Sequence, residues 1–170
     1  MFSEGWRKIR LFFDEGEKMS MIQDFWNDFL EKTHQNKDEV GFSGELQFED
    51  NNFTGLEKLN LVLSGKKTVI FSPFESYAVN REPMPLNGEV YIVEDRNKEP
   101  RCIIEVTDVL VLPFDDVGWE LARQEGEDEN LEQWREKQRE YMKDEADLCG
   151  FEFNDDSKVV VQIFHVVYRP

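Results

Sequence analysis

The chain has 170 residues, enough for one domain with a sizeable core, and its 39% hydrophobic and 13% aromatic content excludes a disordered chain. Its 37 acidic against 20 basic side chains give a formal net charge of -17. That balance excludes tight wrapping of long duplex nucleic acid, whose affinity comes from Lys and Arg displacing counterions. No apolar run reaches about 20 residues, the length of a membrane-spanning helix, so no membrane partner is expected.

At the start of the chain Trp6, Ile9, Phe12 and Phe13 have helical spacing between Gly5 and Gly16. Residues 1–6 lack a long apolar region and a small-residue cleavage site, so a secretory signal is not expected. Glu15-Gly16-Glu17-Lys18 is what a purine-rich ribosome-binding sequence would encode. Met19 and Met21 are therefore candidate starts beside Met1, which mass spectrometry of the native protein would decide. Residues 1–20 then read as an N-terminal extension, and residues 21–170 as a single domain.

Ile22, Phe25, Trp26, Phe29 and Leu30 form the stripe of an amphipathic helix. Residues 34–52 are polar and irregular, with Phe42, Leu46 and Phe48 as anchors. A second helix is predicted over Thr54–Ser64, stopped by Gly65. The period then changes to two. Val69-Ile70-Phe71 starts a strand, and Ser72 to Pro85 reads as a loop marked by three prolines. Strands follow at Val90–Val93, Arg101–Val106 and Val109–Leu112, then a short helix over Val117–Glu125. Asn130 caps a longer helix with Leu131, Trp134, Gln138, Tyr141 and Met142 on one side, closed near Gly150. The chain ends in the dense strand Val159–Tyr168. Strands of antiparallel type with peripheral helices and no βαβ alternation predict the α+β class, with a small barrel or strongly curled sheet.

Chemistry concentrates at Gly65-Lys66-Lys67-Thr68, where two cations stand at a turn between apolar elements of an anionic protein. A helix end needs a left-handed residue and favours cations at its negative pole, which accounts for Gly65 and for Lys66 as a solvated residue. Cys102 and Cys149 share no Cys-x-x-Cys spacing, and a reducing cytoplasm is their simplest location. His165 lies in an apolar run with no second ligand at metal spacing and reads as a hydrogen-bonded core or sheet histidine; His34 reads as a loop residue. Asp115-Asp116 and Asp155-Asp156 read as solvated surface, so neither metal nor cofactor is expected. Residues 115–156 carry 16 acidic against 5 basic side chains, a face suited to solubility or to repelling extended nucleic acid.

The order of several short motifs resembles one family. The Phe25-Trp26 helix comes first, then Leu63-Ser64-Gly65-Lys66-Lys67-Thr68 and the Pro85-x-x-Gly88-Glu89 turn. Cys102-Ile103-Ile104-Glu105-Val106-Thr107, Val111-x-Pro113-Phe114-x-x-Val117 and Ala122-Arg123-Gln124-Glu125-Gly126 follow. Trp134-Arg135 and Phe164-x-Val166-Val167-Tyr168 complete the series. In this order, from Met21 to the C-terminus, the chain resembles ASCH-domain proteins of the PUA-like superfold. The resemblance implies a small β-barrel flanked by helices, with a cleft for RNA or a nucleotide-like ligand. The family motif Gly-x-Lys-x-x-Glu-x-Arg is met by Gly65 and Lys67, while its Glu and Arg positions hold Ile70 and Ser72. Members similar to small amidohydrolases that deacetylate modified cytidine carry Thr at the Ile70 position, paired with the Lys and a downstream Glu that Glu125 resembles. Others resemble ribonucleases.

A lysine serves as a base only when burial or a neighbouring cation lowers its pKa far below the usual range. The resemblance selects Lys67 and Glu125 as the polar pair. Ser72 is the candidate replacement for the missing hydroxyl, one pleat beyond Ile70 on the face of Thr68. Lys66, Thr68 and the loop residues Phe74, Glu75 and Tyr77 are candidate ligand contacts, because an aromatic side chain can stack on a base. The functional expectation is a cytoplasmic domain that binds an RNA segment or small nucleoside-like ligand in a cleft beside Lys67. The alternatives are a hydrolase using Lys67 and Glu125, as amidohydrolase or ribonuclease, and a protein-interaction module using the acidic face.

Overall fold

The computed structural model describes residues 6–9, 16–48 and 54–170. In chain order the elements are β1 (Trp6–Ile9), α1 (Gly16–Lys32), β2 (Phe42–Phe48), α2 (Thr54–Leu63), β3 (Val69–Pro73), α3 (Phe74–Val79), β4 (Val90–Glu94), β5 (Pro100–Pro113), α4 (Trp119–Ala122), α5 (Leu131–Cys149) and β6 (Lys158–Tyr168). Single 3-10 turns at Phe114–Asp116 and Arg123–Glu125 flank α4. Among the described residues no helix is long and apolar enough to cross a membrane.

The strands form one six-stranded sheet in the order β1-β2-β4-β5-β6-β3. All neighbours are antiparallel except β2 and β4, which run parallel. The α+β class holds, but the expected barrel is corrected: β1 and β3 are the two edges, and no strand pairing among the described residues joins them. The sheet is open and mixed.

Several elements differ from the sequence expectation for definable reasons. Trp6–Ile9 is a strand paired with β2, not part of a helix; Phe12 and Phe13 lie outside the described residues. The first helix starts at Gly16 and runs through both Met19 and Met21. The polar segment before α2 contains β2, hidden in the sequence because it buries Glu45 on one face and Leu46 on the other. Six residues of the expected Ser72–Pro85 loop form α3, with Pro73 as its extended N-cap at φ -65 and ψ 133. The two strands expected at 101–112 are one 14-residue strand, bent by a register shift between Val106 and Asp108. The expected Val117–Glu125 helix is shorter: Gly118 caps α4, and the chain tightens to a 3-10 turn at Arg123. The α5 boundaries are as expected. Asn130 accepts from the Gln133 amide at 2.9 Å, and Gly150 closes the helix at φ 82.

Three apolar clusters hold the layers together. Val69, Phe71, Phe114, Trp134, Met142 and Val161 pack between the sheet and α5. Leu46, Ile70, Tyr91, Ile104 and Phe164 pack under α2. Trp26, Phe29, Ile92 and Ile103 join α1 to the sheet. Strand alternation sends Val69 and Phe71 of β3 to the first cluster and Ile70 to the second, which decides what Ser72 can reach.

Candidate functional site: a buried lysine beside an open groove

The site is built where α2 ends. Gly65 takes φ 76, and the amides of Lys66 and Lys67 both donate to the Leu61 carbonyl, at 2.9 and 3.0 Å. The chain is thereby reversed, and Lys67 is carried inward. The Thr68 amide then donates to the Gln124 carbonyl at 2.9 Å, and its hydroxyl to Gln124 Oε1 at 3.2 Å. Gly126 completes the junction: at φ 81, a Cβ there would sit 3.0 Å from the Lys66 carbonyl oxygen. Only glycine permits both the backbone angle and the approach.

This junction sets Lys67 against Glu125. Lys67 Nζ lies 3.6 Å from Glu125 Oε1, and the two residues are 4% and 5% exposed. The other carboxylate oxygen accepts from Trp134 Nε1 at 3.1 Å and from Gln138 Nε2 at 2.7 Å. Trp134 is itself fixed, edge-on to Phe71 at 4.8 Å and stacked on Phe114 at 5.5 Å. Burial pulls the Lys67 pKa below the ordinary lysine range, and the Glu125 carboxylate only partly opposes that shift.

A groove of about 450 Å³ opens beside the pair. It exists because β3 is shorter than β6. The Phe164 amide reaches the Thr68 carbonyl at 2.9 Å, and beyond it no described strand pairs with that edge of β6. The end of α2 faces this bare edge. Lys67 and Thr68 line the inner part, and His165 and Arg169 also line the groove; among the described residues no acidic side chain lines it. Arg169 spans to α2 and donates to the Leu63 carbonyl at 2.7 Å. Of the core and sheet alternatives for His165 the sheet one applies: it lies in β6 opposite Glu105, with its side chain exposed rather than in the core.

The structure thus brings Lys67, Glu125 and Thr68 together and leaves the other candidates apart. Ser72 lies on the Ile70 face of β3, whereas Trp134, which holds Glu125, packs on the Phe71 face. The Ser72 hydroxyl bonds the Tyr77 hydroxyl at 2.8 Å instead. Burial raises the Tyr77 pKa, against hydrogen bonds from Ser72 and Gln162. Ile70, Tyr77 and Gln162 enclose a separate cavity of about 60 Å³. Phe74 and Glu75 belong to α3 rather than to a loop; both are exposed, and the Lys158 ammonium lies 5.8 Å from the Phe74 ring centre. Lys66 is exposed, as a helix-end lysine should be.

Sequence reasoning missed the carboxylate's two anchors. Gln138 was visible as a lone amide within the apolar stripe of α5, a pattern that signals a buried hydrogen bond. It also missed a second buried charged group. Glu45 and Glu94 are 0% and 1% exposed beneath α1. Lys18 Nζ lies 3.8 and 3.7 Å from their carboxylates. Burial, and then the neighbouring Glu45, push Glu94 up to about 7. Cys102 is buried and its thiol is pushed up to about 12, which makes it a packing residue. Among the described residues no group of three or more His, Cys, Asp or Glu side chains is arranged to hold a metal.

Comparison with known proteins agrees with this architecture. The chain is similar to the ASCH domain from Lactobacillus crispatus JV V101, with 25% identity, 94% of this chain and 100% of that chain covered, and a TM-score of 0.78. It is similar to a protein from Enterococcus faecalis V583, with 28% identity, 87% and 88% covered, and a TM-score of 0.75. Among curated proteins none matches. The ASCH domain family model matches residues 45–168, and the chain belongs to the ASCH domain family.

Proposed function

We propose that this ASCH domain binds a single-stranded RNA segment or a nucleoside-like ligand in the groove beside Lys67. The observation that carries the reading is the groove's composition. In a protein of net charge -17 it is a cavity of about 450 Å³ that no acidic side chain lines among the described residues. One wall is the stretch of β6 edge that no described strand pairs, and backbone amides and carbonyls along such an edge complement the edge of a planar base. Its confined size between α2 and β6 suits a short single strand better than a duplex.

The test is titration with a short oligoribonucleotide and with ribonucleosides, read by thermal shift in the intact chain and in Ser64→Trp. Ser64 is an exposed residue of the groove wall, so a bulky side chain there fills the groove and leaves the Lys67–Glu125 pair in place. A saturable shift that Ser64→Trp weakens at least about tenfold is expected. A shift unchanged by that variant, or no shift with any of these ligands, would sink the reading; the second outcome would favour a protein partner at the acidic face.

A second reading is supported by the buried pair itself. A lysine with a lowered pKa, 3.6 Å from a carboxylate, can hold a water and take its proton. The water oxygen would attack an acyl carbon, the carbon–nitrogen bond would break, and the amine would leave with the proton. Water is the nucleophile in this scheme, because Ser72 is committed to Tyr77 and Thr68 to Gln124. Release of acetate from an acetylated cytidine, lost in Lys67→Met, is the expected result if the domain is an amidohydrolase. Absent turnover with retained binding leaves the first reading alone.

A further inference from the structure

We infer that His165 and Arg169 form a phosphate-binding subsite at the end of the groove, so that the preferred ligand is a nucleotide and not an uncharged nucleoside. This rests on the groove being the ligand site.

Charge within the groove is divided. Lys67 carries its own counter-charge, because Glu125 sits 3.6 Å away and both are buried. The inner part therefore presents a compensated pair, suited to an uncharged base or sugar. His165 and Arg169, in contrast, line the groove without a carboxylate beside them in the lining. Glu105 stands opposite His165 in register on β5, and it does not line the cavity.

Arg169 is also held ready. Its bond to the Leu63 carbonyl, at 2.7 Å, uses one of the five guanidinium N–H groups and pins the side chain across the groove. The carbonyls at the end of α2 form the negative pole of that helix and would repel an anion by themselves. Arg169 neutralises them and leaves further donors for a planar, bidentate contact with phosphate oxygens. The His165 imidazole offers an N–H donor in either protonation state. A guanidinium pinned by a backbone carbonyl and an imidazole four residues earlier, in β6, line one groove, and no described carboxylate lines it with them; together they supply the donors a phosphate needs.

The experiment measures affinities by calorimetry at about 0.15 M salt, where long-range repulsion by the acidic surface is largely screened. The four ribonucleosides, their 5′-monophosphates and inorganic phosphate are compared in the intact chain, in Arg169→Gln and in His165→Gln. Glutamine at 169 keeps a donor for the Leu63 carbonyl and removes the charge. The monophosphate is expected to bind about tenfold or more tightly than its nucleoside, as a charge-assisted bidentate contact allows. Arg169→Gln should reduce that advantage to within about twofold and leave nucleoside affinity unchanged. His165→Gln should reduce it partly, and it decides the question if Arg169→Gln does not fold. Binding of inorganic phosphate in competition with the monophosphate would identify the phosphate group as the recognised part. Equal affinity for nucleoside and monophosphate, or an advantage that survives both variants, would overturn the subsite while leaving the groove as a binding site. No binding of either would overturn the groove reading, and the subsite with it.

Discussion

Lys67 and Glu125 are a pair with unequal support. Among the described interactions Lys67 Nζ has Glu125, whereas the Glu125 carboxylate also holds Trp134 and Gln138. Removing one partner of a buried pair costs about 3–5 kcal/mol when the other is stranded. Glu125→Leu strands the ammonium and two further donors, so a loss of that size is expected in urea unfolding. Lys67→Met leaves the carboxylate its two donors and should cost markedly less. The pH dependence has a definite sign. The folded-state pKa of Lys67 lies below its unfolded value, so its stabilising contribution is present above pH 10.5 and is lost as pH falls through the folded pKa. The intact chain should therefore gain stability on the alkaline approach to pH 10.5, and Lys67→Met should lack that gain. Equal losses in the two variants, or identical alkaline profiles, would refute the asymmetry. Gly65, Lys67 and Glu125 were legible because a turn glycine and a family motif mark them. Trp134 was legible as a helix-stripe aromatic and as part of the Trp134-Arg135 motif, but not as a partner of Glu125, since its indole N–H meets that carboxylate through tertiary packing that no local pattern encodes.

At the scale of elements, α1 lies over a buried carboxylate pair that one lysine bridges. The Glu94 pKa is raised from 4.5 to about 7 by burial first and by Glu45 second. Because the folded value exceeds the unfolded one, Glu94 contributes stability that is fully present below about pH 4.5 and is lost as pH rises through about 7. Glu94→Gln should flatten the stability profile between those values. It should also stabilise the protein at pH 8 by on the order of 2–3 kcal/mol, since one pKa unit corresponds to about 1.4 kcal/mol. An unchanged slope would show that the carboxylate ionises freely beneath α1. None of this was legible locally: Glu45 and Glu94 read as ordinary polar positions, and only the parallel pairing of β2 with β4 brings them together. The stripe of α1, the Gly65 stop and the Asn130 cap were readable because helix period and capping are local physics. The α3 helix was obscured by prolines on both sides, although Pro73, as N-cap, lies outside the helix and removes none of its hydrogen bonds.

For the whole molecule the dominant global quantity is its charge. A net charge of -17 on 170 residues imposes self-repulsion that salt screens. The midpoint of thermal unfolding should therefore rise as sodium chloride goes from about 0.05 M to about 0.5 M, where the screening length shrinks well below about 10 Å. A falling midpoint would mean that attractive surface pairs, such as Arg139 with Asp155 at 2.8 Å, outweigh the repulsion. The α+β class was readable from period and turn chemistry, but openness was not, because closure depends on which edges find partners. That openness carries a consequence for how the domain could diversify. The groove is the difference between a five-residue β3 and an eleven-residue β6. Its length is therefore written in chain length and not in side-chain identity. An insertion that extends β3 backwards through the turn at 64–68 would zip along the bare edge of β6 and shorten the groove. A deletion there would expose more of that edge, by about 3.3 Å for each residue. Descendants of this sequence could thus change the size of what they accommodate through insertions and deletions at one turn, and because Lys67 stands in that turn, each such change would also reset its approach to Glu125.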